Sequence, residues 1–130
     1  MKILLAEDDF VTRKYMSNFL SKYGECDVTV DGMEAVDAFM MALEDGEPYD
    51  LICLDVMMPV LDGYQVLKAI RDIEAERGIS KKDRVKVIMT TALNEERNVK
   101  MAFDLGCEAY SGKPIDAKKF EKVLQKLELI

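Results

Sequence analysis

The chain has 130 residues, about half of them apolar and a third charged, with a net charge of −7, no histidine and three cysteines. That length fits one domain with a real core, and the acidic balance argues against nucleic-acid binding, which needs a basic face. The absence of histidine removes imidazole base catalysis and the usual zinc sites.

No apolar run approaches the roughly 18 residues of a membrane span, and the start, Met1-Lys2-Ile3-Leu4-Leu5-Ala6, is too short and too soon acidic for a signal peptide. Cys26, Cys53 and Cys107 lie among apolar residues without metal-type spacing. They read as reduced core thiols in a reducing, cytoplasmic compartment.

Five short apolar runs alternate with five amphipathic stretches. Ile3-Leu4-Leu5-Ala6 is followed by Val11, Tyr15, Met16, Phe19, Leu20 and Tyr23 at helical spacing, with Gly24 as the stop. Cys26 to Val30 is the second run. Asp31 caps the next helix, Glu34 is placed for a capping-box-like pair, and Ala35, Val36, Phe39, Met40 and Leu43 form its stripe. Leu51-Ile52-Cys53-Leu54 precedes a loop through Pro59 and Gly63, then a helix with Val66, Leu67, Ile70 and Ile73 inward. Val85 to Met89 is the fourth run, followed by a helix from about Asn94 to Leu105. Ala109-Tyr110-Ser111-Gly112 is a weak fifth run, because Gly112 is a poor strand former. Asp116 caps a last helix with Phe120, Val123, Leu124 and Leu127 on its apolar stripe.

Unbroken apolar runs predict strands buried on both faces, and their alternation with helices predicts a parallel sheet with right-handed crossovers. The fold class is therefore α/β, a doubly wound five-stranded sheet with five helices, forming one domain over residues 1–130.

The ends of the runs carry the chemistry. The first ends in Glu7-Asp8-Asp9, the third in Asp55, the fourth in Thr90-Thr91 and the fifth in Lys113-Pro114. In a parallel sheet these ends share one edge, where open α/β folds bind ligands. Clustered carboxylates repel unless one keeps a proton or a cation joins them. Oxygen ligands without His or Cys select a hard ion, Mg²⁺, Mn²⁺ or Ca²⁺. A hard cation, a carboxylate, a hydroxyl and an ammonium suffice for phosphoryl transfer to a carboxylate.

Leu5-Ala6-Glu7-Asp8-Asp9, Leu54-Asp55-Val56-Met57-Met58-Pro59-Val60-Leu61-Asp62-Gly63, Met89-Thr90-Thr91-Ala92 and Tyr110-Ser111-Gly112-Lys113-Pro114 together resemble the receiver domain of response regulators, the CheY-like family. The resemblance covers essentially the whole chain, with the four motifs in the family's order and spacing. It implies a flavodoxin-like strand order of 2-1-3-4-5 and a cytoplasmic phosphoacceptor of two-component (phosphorelay) systems. Asp55 matches the phosphoacceptor. Asp8, Asp55 and the backbone carbonyl of Met57 match the metal ligands, with Glu7 acting through water, for Mg²⁺ or Mn²⁺ in its place. Asp9 is a third acid, and the count forward to Gly24 favours Glu7 and Asp8 as the metal pair. Thr91 and Lys113 match the groups that bind the phosphoryl oxygens, and small Ala92 leaves room for them. Thr90 falls on the opposite face of its strand. Thr91 and Tyr110 match a switch pair acting on the face formed by the fourth helix, fifth strand and fifth helix. The Lys113-Pro114 bond is expected to be cis.

The chain departs from the family pattern in three places. The first acid is Glu7, Ser111-Gly112 replaces an apolar pair, and Ile115 stands where an aromatic is frequent. Met57 and Leu93 occupy rate-tuning positions, and their bulk implies a longer-lived phosphoryl group. The resemblance implies no enzyme beyond self-catalysed phosphotransfer and dephosphorylation. Its partners would be a sensor histidine kinase or histidine phosphotransfer protein, and a downstream protein at the switch face, with no nucleic acid or membrane, the chain being a monomer or weak dimer. Lys118, Lys119, Lys122 and Lys126 on the last helix are either a solvated face or part of that partner surface. The chain reads as a stand-alone regulator, or alternatively as the receiver of a longer one with a DNA-binding or enzymatic output. A dehalogenase-like phosphatase would need a second Asp where Met57 stands, no nucleotide-binding glycine motif occurs, and a docking-only pseudo-receiver would not need the full set of Glu7, Asp8, Asp55, Thr91 and Lys113.

Overall fold

Successive residues of a strand point to opposite faces, and here both faces are covered. The computed structural model describes residues 1–92 and 96–130. The elements in chain order are β1 (Lys2–Ala6), α1 (Phe10–Leu20), β2 (Glu25–Thr29), α2 (Gly32–Glu44), β3 (Leu51–Asp55), α3 (Gly63–Glu76), β4 (Lys86–Thr91), α4 (Glu96–Leu105), β5 (Ala109–Gly112) and α5 (Ala117–Lys126). All pairings are parallel, in the order β2-β1-β3-β4-β5, as the family resemblance implies.

Leu4, Ala6, Ile52, Leu54, Val87 and Met89 face one way, against Phe39 of α2, Leu67 and Ile70 of α3 and Ala102 of α4. Ile3, Leu5, Leu51, Cys53 and Ile88 face the other, against Met16, Phe19 and Leu20 of α1 and Phe120 and Leu124 of α5. This is the doubly wound arrangement, and it brings every strand's carboxyl end to one edge.

The helix starts follow the capping residues. Asp31, Asp62 and Asp116 each accept a hydrogen bond from a backbone N–H of the first turn. Glu34 reaches one residue further back than a capping box requires and accepts from Val30 N at 2.9 Å. The helix expected from Asn94 is described from Glu96; its expected first residues lie outside the described ones.

Three expectations need correction. Val11 and Tyr15 are exposed, so the buried stripe of α1 is narrower than its apolar spacing. Helix α1 ends at Leu20, and Gly24 is needed for close approach instead: a Cβ there would run into the Met1 carbonyl. Strand β2 is only partly buried because it lies at the sheet edge. The weak fifth run nonetheless pairs with β4 over its four residues. The three cysteines are free, two buried and Cys26 half-buried.

Gly63 sits where the loop after β3 turns back under the sheet edge. A Cβ on it would lie 2.5 Å from the Asp55 carbonyl oxygen and 2.8 Å from Val56 Cα. Both neighbours are backbone and cannot swing aside. Gly63→Ala is therefore expected to cost about 1–3 kcal/mol, read as a lower denaturant midpoint with an unchanged slope.

Candidate functional site

Strand pairing assembles the site. Glu7, just past β1, is anchored by its N–H to the Thr29 carbonyl at 3.1 Å, and Lys113, just past β5, by its N–H to the Thr91 carbonyl at 2.7 Å. Val56, just past β3, donates to the Thr90 carbonyl at 2.9 Å. Each acid or base thus leaves the sheet from a fixed register.

The side chains converge. The Lys113 ammonium lies 2.6 Å from Glu7 Oε1 and 3.2 Å from Asp55 Oδ1. Glu7 and Asp55 are both buried, whereas Asp8 is exposed. Ligand-capable oxygens of Glu7, Asp8 and Asp55 all lie within 4.8 Å of one another. Asp9 points away from this cluster's work: its carboxylate caps α1 through Thr12 N (2.9 Å) and Thr12 Oγ1 (2.7 Å), and these bonds hold its carboxyl below the usual range.

Burial, then the neighbouring Glu7 carboxylate, push the Asp55 carboxyl up to about 7 against the pull of Lys113. Burial alone disfavours the Lys113 ammonium, but Glu7 and Asp55 outweigh it and hold Lys113 above its ordinary value. Folded Asp55 keeps its proton to about 7, whereas the unperturbed carboxyl loses it near 3.8. The folded state therefore binds more protons between those values, and this group's contribution to stability falls as pH rises through the window. In metal-free protein the thermal midpoint of the wild type is expected to drop relative to Asp55→Asn from about pH 4 to about pH 7, measured by paired melts in a chelator. Parallel curves would contradict this.

The residues fit a hard divalent cation. Glu7 and Asp55 share one ammonium with the Asp8 carboxylate close by, and Glu7 Oε1 is buried within ion-pair distance of Lys113 but outside hydrogen-bond geometry. An oxygen-only donor set of this kind suits Mg²⁺-like ions, and added positive charge would favour ionised Asp55.

Other expected site residues fall as follows. Thr91 is buried and by strand alternation shares the face of Val87 and Met89; Thr90, also buried, shares that of Ile88. Tyr110 lies on the same face as Thr91, half-buried, with its hydroxyl 3.3 Å from that of Tyr64 on α3. Ala92 is exposed, and the Lys113-Pro114 bond is cis. Met57 donates its N–H to Asp55 Oδ1 at 3.4 Å while its side chain is exposed. Leu93 lies outside the described residues.

Two residues escaped the sequence reading. Arg13 donates to the carbonyls of Glu7 and Asp8, both at 3.1 Å, and so braces the acidic loop. Tyr64 is the partner of Tyr110. Arg13 lies one helical turn past Asp9, the only signal available; Tyr64 sits three residues before Leu67, on that residue's helix stripe.

A family model described as "Response regulator receiver domain" matches residues 3–125. Probable histidine kinase 2 of rice (Oryza sativa subsp. indica) is 33% identical over 129 residues, covering 92% of this chain but 12% of that protein. A chain of the CheX-CheY-BeF3-Mg²⁺ complex from Borrelia burgdorferi superposes with a TM-score of 0.84 at 25% identity, covering 98% of this chain and 89% of that one. A chain of the Saccharomyces cerevisiae co-crystal of the histidine phosphotransfer protein Ypd1 with the receiver domain of Ssk1 gives 0.83 at 26% identity, covering 100% and 92%. The chain thus spans a small part of the kinase it matches, and most of each structural neighbour. Among the described residues no helix is long and apolar enough to cross a membrane.

Proposed function

The chain belongs to the response regulator receiver domain family, and we propose on that premise that it is a phosphoacceptor module of a two-component phosphorelay in which Asp55 takes the phosphoryl group. The observation that carries this reading is the Lys113 ammonium set between buried Glu7 and Asp55. A surface lysine has no reason to be drawn between two buried acids, whereas a phosphoryl group placed on Asp55 needs a cation there.

An ionised Asp55 oxygen attacks phosphorus in line while the bond to the donor, a phosphohistidine nitrogen, breaks and the electron pair leaves with that nitrogen. Lys113 and the Thr91 hydroxyl meet the equatorial oxygens as charge spreads over them, and exposed Ala92 leaves that side open. Mg²⁺, or Mn²⁺ in its place, held by Asp8, Asp55 and the Met57 carbonyl with Glu7 through water, supplies further neutralising charge when bound. Attack by water on the aspartyl phosphate then returns Asp55 and inorganic phosphate, and the chain has no other enzymatic activity.

The switch reading rests on Thr91 and Tyr110 sharing one face. Drawing Thr91 toward a phosphoryl oxygen frees space into which the Tyr110 ring turns, away from Tyr64, and biases the α4-β5-α5 face toward a second state. That face, with exposed Lys118, Lys119, Lys122 and Lys126, is where a downstream protein docks. The phosphoryl source is a histidine kinase or histidine phosphotransfer protein in the cytoplasm.

Acetyl phosphate with Mg²⁺ is expected to add one phosphoryl group to the wild type, read by intact mass, and none to Asp55→Asn or to wild type in a chelator. An adduct of equal yield on Asp55→Asn would refute the assignment.

A further inference from the structure

Arg13 stands one turn into α1, near the end where the helix dipole disfavours a cation. It also lies beside the acidic cluster, where its charge repels any metal ion that the acids attract. The charge is placed at a cost, and the bonds it makes offset that cost.

Those bonds are specific. Arg13 Nη1 donates to the Glu7 carbonyl and to the Asp8 carbonyl, both at 3.1 Å. The two acceptors are consecutive along the backbone, and both residues carry carboxylates of the three-acid cluster. The Phe10 ring centroid lies 5.5 Å from Arg13 Cζ, within cation–π range, and helps to hold the guanidinium over the loop.

The rest of the loop shows where a brace is needed. Glu7 is buried and tied to the sheet through its N–H and the Thr29 carbonyl. Asp9 is tied on both sides: its N–H donates to Glu7 Oε2 at 3.0 Å, and its carboxylate caps α1 through Thr12. Asp8 lies between them, exposed and beyond the last residue of β1. The Glu7 and Asp8 carbonyls belong to the two peptide planes that flank the Asp8 Cα. Holding both planes fixes the two soft dihedrals of Asp8 and so the direction of its Cα–Cβ bond. Arg13 does this without engaging the Asp8 carboxylate.

We propose that Arg13 is a positioning residue for the metal: by fixing the two peptide planes around Asp8 it aims that exposed carboxylate at the site lined by buried Glu7 and Asp55, and so sets the Mg²⁺ affinity. A carboxylate on an already fixed backbone loses less freedom when it takes up an ion. The inference rests on the acidic cluster being the metal site of the phosphoacceptor reading.

The test measures Mg²⁺ binding by calorimetry on the wild type, Arg13→Met and Arg13→Lys, with thermal midpoints alongside. Arg13→Met removes the charge and keeps an unbranched side chain. Charge alone would make Mg²⁺ bind more tightly to it. The positioning role makes binding about 10–100-fold weaker, the usual effect of removing a group that orients a metal ligand. Arg13→Lys keeps the charge but not the planar head, and its affinity should fall between the other two. The Mg²⁺ concentration giving half-maximal phosphorylation by acetyl phosphate should rise by the same factors. In a chelator, hydrogen exchange at the Asp9 amide should be faster in Arg13→Met than in the wild type, a readout that involves no metal. Unchanged or tighter Mg²⁺ binding by Arg13→Met, or weaker binding with unchanged exchange at Asp9, would overturn the proposal. Should the midpoint show Arg13→Met unfolded at the assay temperature, Arg13→Lys decides alone, and an affinity equal to or above that of the wild type overturns the proposal. Failure of the wild type to bind Mg²⁺ would instead overturn the metal site of the phosphoacceptor reading, and this proposal with it.

Discussion

Lys113→Ala is expected to slow phosphorylation by acetyl phosphate about 10²–10³-fold, the usual cost of removing one group that stabilises developing charge. The ammonium contacts both Glu7 and Asp55 and is itself largely buried. Without it, two buried carboxylates face each other and one must keep its proton, so ground-state Asp55 is less often ionised and the transferring phosphoryl group loses a cation. The same change should tighten Mg²⁺ binding, because lysine and metal compete for the same oxygens. Calorimetry of Mg²⁺ binding beside the phosphorylation rate separates the two effects. Tighter metal with slower transfer is the expected pair, and slower transfer with weaker metal would mean that the site had collapsed. Lys113→Arg keeps the charge but not the compact head, and should recover only part of the rate.

Arg71→Met is expected to destabilise the domain by about 3–5 kcal/mol, the range for stranding buried charges. The Arg71 guanidinium reaches Glu74 at 2.7 Å, Glu108 at 2.9 Å, the Val85 carbonyl at 2.9 Å and the Gly106 carbonyl at 2.8 Å. Glu74 in turn accepts from Val85 N at 2.8 Å and Glu108 from Val87 N at 3.2 Å. Arg84 also approaches Glu108, at 3.4 Å. One side chain therefore ties α3, the start of β4 and the turn between α4 and β5. A fall in thermal midpoint of about 10–20 °C should follow, with phosphorylation of the folded fraction intact below the transition. A fall of only a degree or two would show that Arg84 or water replaces the guanidinium.

That network marks the limit of what the sequence discloses. Arg71 and Glu74 read as ordinary polar positions on α3, three apart on a helix face, and nothing in periodicity says that this face is covered by the β4 and β5 starts. Tyr64 and Arg13 were missed for the same reason: their partners are set by tertiary placement. Val11 and Tyr15 fit a helical stripe yet stay exposed, because spacing reports a face and not what covers it. By contrast, the parallel sheet, the helix caps at Asp31 and Asp116, and the gathering of Glu7, Asp8, Asp55, Thr91 and Lys113 at one edge were legible, while the strand order came only with the family resemblance. Short apolar runs ending in charged residues leave a parallel sheet little choice about where those residues go.

The central claim is that Asp55 itself becomes the acyl phosphate. The most direct measurement is to phosphorylate the protein with acetyl phosphate and Mg²⁺, reduce it with borohydride, which converts an aspartyl phosphate to homoserine, and map the peptides by mass spectrometry. Homoserine at position 55, absent when the metal is chelated, is the predicted result. Homoserine at Asp8, at Asp9 or at another acid, with Asp55 unchanged, would contradict the account.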